Sequence, residues 1–188
     1  MARDVGTRHG RQNDPERRDR IIDACLDVIV EAGVAGASHR RIAEAAGVPL
    51  GSMTYYFTGI DELLRDAFTR FSTDVSERFV ARMAAAFDRD SARDAVVEII
   101  RRDILGDRRE LVLSHELYTL AARDRSYRAL TTAWMGRSRA ALEQHFDPQT
   151  ARMLDALIEG LSIHRALDED AHDVQDVHLA VARITADQ

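Results

Sequence analysis

Lysine is absent from the 188-residue chain: all 26 basic residues are arginine. We read this as codon usage more than chemistry, although guanidinium groups suit bidentate contacts to phosphate and guanine. Cys25 is the single cysteine, which excludes an intramolecular disulfide and gives no sign of an oxidising compartment. With only three prolines and ten glycines, long stretches run without a breaker, which argues against a many-turned β fold. No apolar run reaches the roughly 18–20 residues a membrane helix needs. The opening stretch MARDVGTRHGRQNDPERR is charged and lacks the apolar segment of a secretory signal. A cytoplasmic protein without a membrane partner is expected.

What remains is an ordinary globular composition, 45% hydrophobic and 31% charged, enough to bury a core. The net charge of −6 is unevenly placed. Residues 1–60 hold eight arginines against eight acids, hence zero, and residues 61–188 hold 18 against 24, hence the whole −6. The apolar pattern is helical throughout. Residues 1–14 show no periodicity and read as an arm. Asp14 and Pro15 are placed to cap and open a first helix, in which Ile21, Ile22, Leu26, Ile29 and Val30 recur at helical spacing until Gly33. Two short helices follow, HRRIAEAA and LGSMTYYF. A longer one starts at Asp61 and carries Leu64, Phe68, Phe71, Val75, Phe79 and Met83 on one side. Further apolar segments lie near 91–105, 109–122, 125–146, 149–167 and 172–186, and none alternates with the period of a strand. The expectation is an all-α protein of about nine helices in three parts: an arm (1–14), a three-helix unit (15–59) and a helical bundle (60–188).

Residues 38–57, SHRRIAEAAGVPLGSMTYYF, carry the functional signal. Ser38 can cap the second helix, whose Ile42 and Ala46 face inward. Gly47 permits the left-handed backbone of a tight inter-helix turn, and Val48 is its buried residue. Met53 and Phe57, four apart, anchor the third helix. Leu50, Gly51, Ser52, Thr54, Tyr55 and Tyr56 are left for solvent or a partner. A helix with small residues at its start can enter the DNA major groove, while tyrosine hydroxyls and the arginines at 40 and 41 bond phosphates. Packing alone explains Gly47, Val48, Met53 and Phe57 equally well; it does not explain the small-residue start or the exposed tyrosines.

These residues resemble the tetracycline-repressor (TetR) family of bacterial regulators. The matching positions are Ser38, Arg40, Ile42 through Val48, Gly51-Ser52-Met53, Tyr55-Tyr56-Phe57 and Asp61-Glu62-Leu63-Leu64. They cover about residues 17–64, about a quarter of the chain, at fixed spacing. Thr54 departs from the pattern where the family has its first tyrosine, and Ile60 where it often has a lysine. The resemblance implies DNA contacts from Ser38, Arg40, Arg41, Leu50, Gly51, Ser52, Thr54, Tyr55 and Tyr56, and a dimer that sets two such helices about 34–36 Å apart on operator DNA. It also implies that an effector in the bundle favours a conformation in which that spacing no longer fits.

The resemblance places dimerisation on the last two segments. One stripe there carries Leu154, Leu157, Leu161 and His164, with Gly160 allowing close approach; a second carries Val174, Val177, Val181 and Ile184. A pocket is expected among the middle helices, from Phe68, Phe71 and Met83, from Glu116 and Leu117, and from Trp134 and Ser138. Core packing accounts for each singly. Glu116 is the sharper candidate, either meeting a cationic or hydroxylated effector or pairing with an arginine such as Arg139.

Motifs of catalysis are not met. His115-Glu116-Leu117-Tyr118-Thr119 begins like a helical zinc-protease motif but ends on Thr119 instead of histidine. His164, His172 and His178 have no compact ligand spacing, and no phosphate loop or nucleophile elbow occurs. No enzyme activity, metal or cofactor is expected. The alternative to a repressor is a helical ligand-binding protein or scaffold without sequence-specific DNA binding.

Overall fold

The computed structural model describes residues 16–103, 108–168 and 174–186. Among them are nine α-helices and no strand. The helices are α1 (Arg17–Gly36), α2 (His39–Ala45), α3 (Leu50–Tyr56), α4 (Ile60–Ala84), α5 (Arg89–Glu98), α6 (Arg108–Arg123), α7 (Arg125–Leu142), α8 (Pro148–Leu167) and α9 (Val174–Ile184). The last residues of the 91–105 segment, Ile99–Asp103, form a π-helical turn instead of continuing α5. The predicted arm, the Asp14–Pro15 cap and His172 lie outside the described residues, as does the side chain of Val174.

Side chains set the helix boundaries. The Asp88 carboxylate accepts from the Ser91 N–H at 2.8 Å, while the Ser91 hydroxyl accepts from the Asp88 N–H at 3.0 Å, a reciprocal cap on α5. Asp124 caps α7 through the Ser126 N–H at 2.7 Å. Asp147 caps α8, taking the N–H groups of Gln149 and Thr150 at 2.9 and 3.0 Å ahead of Pro148 in the first turn. Gly33 stops the regular part of α1: its φ of 68° and ψ of 172° break the helix, and Val34–Gly36 form a separate turn.

Two cores follow from the apolar stripes. The first joins α1, α2 and α3 to the N-terminal half of α4 and to α6 and α7. The second joins the C-terminal part of α4 to α5, the π turn, the end of α7, α8 and α9. At 1.5 Å per residue the 25-residue α4 is about 37 Å long, and it enters both cores: Leu64, Phe68, Phe71 and Val75 are buried in the first, Phe79 and Met83 in the second. The N-terminal helices therefore have no core of their own. Burial of a large apolar side chain stabilises by roughly 1.5–3 kcal/mol, so Ile21, Ile29, Ile42, Met53, Leu63, Phe68 and Leu117, all essentially inaccessible to solvent, bind these helices to the bundle.

Candidate nucleic-acid interface and internal cavity

Helices α2 and α3 form the helix-turn-helix. Ser38 is extended and its hydroxyl accepts from the Arg41 N–H at 3.3 Å, opening α2. Gly47, at φ 62°, turns the chain toward α3. Val48 is only half-buried against the first core, so the turn is pinned less by it than by Met53 and Phe57 beneath α3. The outer face of α3 presents Leu50, Gly51, Thr54 and Tyr55 to solvent, with Leu50 54% and Tyr55 74% exposed. Ser52 and Tyr56 are half-buried. Tyr56 departs from the expectation of a freely presented side chain: its ring packs on the first core and meets Tyr55 edge-on at 4.8 Å. Arg40 and Arg41 are exposed on α2, Arg41 lying 3.9 Å from Glu31. The Thr54 hydroxyl donates to the Gly51 carbonyl at 3.3 Å. Ile60, at the position where a lysine is usual in the family pattern, packs against the first core. Glu62 fixes the link into α4 by accepting from the N–H and hydroxyl of Thr58 at 2.7 and 2.6 Å, hydrogen bonds that hold its carboxyl below the usual range.

A partly open cavity lies between α6, α7 and α8, with Phe79 reaching it from α4. Trp134 and Ser138 line it, as expected from the sequence. Tyr118 stacks on Trp134, 5.9 Å between ring centres and 15° between planes, and Phe71 meets Trp134 edge-on at 5.8 Å. Asp155 and Glu159, one turn apart on α8, bring carboxylates to the wall. Burial pushes both carboxyls up from their ordinary values; Arg139, donating to Asp155 at 3.1 Å, opposes this for Asp155, and the Tyr118 hydroxyl opposes it for Glu159. Burial also pushes the Tyr118 hydroxyl well above the ordinary tyrosine range, with the Glu159 charge adding to it.

Five expected cavity residues lie elsewhere. Phe68, Phe71 and Leu117 are buried in the first core, and Met83 in the second, because the stripe of α4 turns toward α1 and α7 on one stretch and α5 on the next. Glu116 points away from the cavity to the end of α1, where it accepts from the Val34 N–H at 3.3 Å. Arg139 takes Asp155 as its partner, not Glu116. The sequence reading missed Phe79, Ser114, His115, Tyr118, Asp155 and Glu159 among the lining. The one available signal is the i, i+4 pair of carboxylates on an otherwise apolar stretch of α8.

The expected dimer stripes also divide. Val177 and Val181 are buried within the protomer's second core together with Leu154, so they do not form an exposed surface. Leu157, Leu161 and Ile184 are half-buried against that core. Gly160 faces open space, and His164 is exposed. The outward stripe of α8 runs through Met153, Ala156, Leu157, Gly160, His164 and Leu167, with Leu167 61% exposed; Leu179 on α9 is 48% exposed. Cys25 is fully buried in the first core, its thiol pushed up to about 12, which leaves it an inert packing residue. Among the described residues no cluster suits a metal ion and no helix is long and apolar enough to cross a membrane.

A small-residue helix raised on a glycine turn, carried by an all-helical bundle with an internal cavity, defines a helix-turn-helix transcriptional regulator. Residues 21–67 match the model of bacterial regulatory proteins of the tetR family, and residues 87–187 match the tetracyclin repressor-like C-terminal domain. The chain belongs to the TetR family. It is 56% identical to SCO7518 of Streptomyces coelicolor A3(2), whose crystal structure superposes with a TM-score of 0.83 over 92% of this chain and 100% of that one. The regulator PksA of Bacillus subtilis strain 168 is 32% identical over 169 residues, 81% of this chain and 80% of PksA. The multidrug binding protein EbrR complexed with ethidium is 33% identical, with a TM-score of 0.74 over 90% of this chain and 98% of EbrR. Curated BetI regulators match over less than half of their length.

Proposed function

We propose that the chain is a homodimeric repressor that holds a palindromic operator and leaves it when a small molecule fills the cavity between α6, α7 and α8. The observation that carries the reading is the exposed face of α3, with Leu50, Gly51, Thr54 and Tyr55 outward above fully buried Met53 and Phe57. In this reading residues 15–59 are the DNA-binding unit and residues 60–188 bind the effector and dimerise. Leu50, Gly51 and Ser52 approach base edges; Arg40, Arg41, Thr54, Tyr55 and the tyrosine hydroxyl of residue 56 serve phosphates. Ser38 acts by capping α2. The partner copy covers the α8 stripe around Leu157, Gly160, Leu161 and His164, which supplies the two-fold axis that a palindrome needs.

The effector part rests on the cavity and on the relatives. EbrR is a multidrug binding protein with structures bound to ethidium, proflavin and malachite green. A ligand shifts DNA affinity only if it binds the two conformations unequally. Anisotropy titration against DNA from upstream of the chain's own gene tests the proposal. Salt-sensitive, sequence-specific binding by a dimer is expected. A folded dimer that prefers no genomic fragment would defeat it and favour the ligand-binding scaffold.

A further inference from the structure

We infer that the cavity takes a planar aromatic cation, its ring system along the Tyr118–Trp134 pair and its charge toward Glu159 and Asp155. The inference rests on the reading of this cavity as the effector site and names the chemistry of its occupant.

Three observations converge. The first is shape. Tyr118 and Trp134 lie 15° from parallel, and Phe71 braces Trp134 at 80°, so the indole is held as a fixed platform. Flat aromatic faces carry negative quadrupoles, which favour stacked rings and attract cations. The second is charge. Two carboxylates line the cavity, and in a chain with 26 arginines no arginine is among the described lining residues. Arg139 stands behind Asp155 and offsets one of the two charges. Glu159 has only the Tyr118 hydroxyl and the His115 ring facing it from α6. Among the described residues the wall thus carries a surplus of one negative charge in a half-buried setting, where a unit charge interacts more strongly than in bulk water. The third is burial that the neighbours only partly offset: both carboxyls are pushed up despite Arg139 and the Tyr118 hydroxyl, so ionised Glu159 gains when a cation arrives. An anion would meet two carboxylates, and a neutral ring would leave Glu159 uncompensated.

The test uses three tricyclic probes of one shape: N-methylacridinium (permanent cation), acridine (neutral at about pH 8) and acridine-9-carboxylate (anion). Trp134 is the chain's single tryptophan and lines the cavity, so its fluorescence reports occupancy directly. The expected result is quenching by N-methylacridinium at least about tenfold tighter than by either analogue, a difference that E159Q removes by weakening the cation while acridine binds no less tightly than to the parent. Because acridine binding reports an intact cavity, a misfolded variant is recognised as such; D155N gives a second variant with the same expected direction. Equal affinities for all three probes, or a cation preference that survives both substitutions, would overturn the inference. Release of operator DNA is measured separately. N-methylacridinium that quenches Trp134 selectively but releases no DNA supports the cavity chemistry and defeats the effector reading. DNA release by acridine-9-carboxylate with no response to the cation does the reverse.

Discussion

The Val34 N–H donates to Oε2 of Glu116 at 3.3 Å, so the end of α1 is held by the helix whose other side lines the cavity. Helix α6 sends Ser114, His115 and Tyr118 to the cavity, Leu113 and Leu117 into the first core, and Glu116 to the turn that precedes α2. Arg109 adds an ion pair to Asp27 of α1. A displacement of α6 by a ligand would therefore reach the base of the helix-turn-helix through a polar contact as well as through packing. E116A should leave Trp134 quenching by a ligand unchanged while reducing ligand-induced loss of DNA affinity, by about fivefold for a coupling share near 1 kcal/mol. E116Q, whose side-chain carbonyl still accepts, should behave like the parent. Unchanged coupling in E116A, measured as the ratio of DNA dissociation constants with and without ligand, would remove Glu116 from the route.

The same junction predicts the cost of filling Gly33. Its φ and ψ, 68° and 172°, fall in a region that side-chain-bearing residues almost never adopt, and a Cβ there would stand 2.8 Å from Oε1 of Glu116. G33A should destabilise by about 1–3 kcal/mol in thermal or denaturant melts. In the double variant with E116A the steric part disappears and the backbone part stays, so the two changes should not add. At Gly47 an added Cβ would meet no atom within 4 Å, and only the φ of 62° matters. Alanine there should cost about 1–2 kcal/mol and asparagine less.

Legibility in the sequence tracks how local each feature is. The Ser38 cap, the Gly47 turn and the Met53–Phe57 spacing are written within twenty residues, and the structure forms all three. Helix stripes are equally local, but a stripe names a buried face without naming what covers it. Phe68 and Trp134 read alike in the sequence; both belong to the first core, but only Trp134 also walls the cavity, because α4 crosses α7 at a place that no periodicity encodes. Glu116 shares a face with Leu113 and Leu117 at helical spacing, yet the glycine gap at Gly33 on a helix 82 residues away draws its carboxylate to Val34. Val177 and Val181 sit on a stripe that reads as a dimer surface, and α5 covers them within the protomer.

On α3 and α2 the side chains predict different signatures at DNA. Tyr55 is the most exposed tyrosine of the helix and carries a neutral hydroxyl. Y55F should weaken binding by one hydrogen bond, about 0.5–1.5 kcal/mol, by the same factor across DNA sequences and without changing the salt slope. R40A removes a phosphate-neutralising charge and should lower the magnitude of the log–log salt slope by about one. Titrations at several salt concentrations on two or more operators separate these. A change in base preference in Y55F would show that its hydroxyl reads a base edge.

Glu159 predicts opposite pH trends for ligand affinity and for stability. The groups facing it are Asp155 one turn away on α8, Tyr118 and His115 on α6, and, behind Asp155, Arg139 on α7. Burial raises its folded-state pKa above the ordinary value of 4.5. A raised carboxyl binds more protons in the folded than in the unfolded chain, so its contribution to stability improves as pH falls through the raised value toward 4.5. A bound cation favours the ionised carboxylate, so affinity falls over the same window. N-methylacridinium carries a permanent charge, which leaves the protein as the group that titrates between about pH 8 and about pH 5. E159Q should flatten the affinity profile and raise the melting temperature at neutral pH, with the gain shrinking as the parent's carboxyl protonates. H115Q, which alters the other polar side chain that faces Glu159 from α6 beside Tyr118, is the discriminating control. A profile that persists in E159Q would show that the Glu159 carboxylate is not the group that sets the pH dependence.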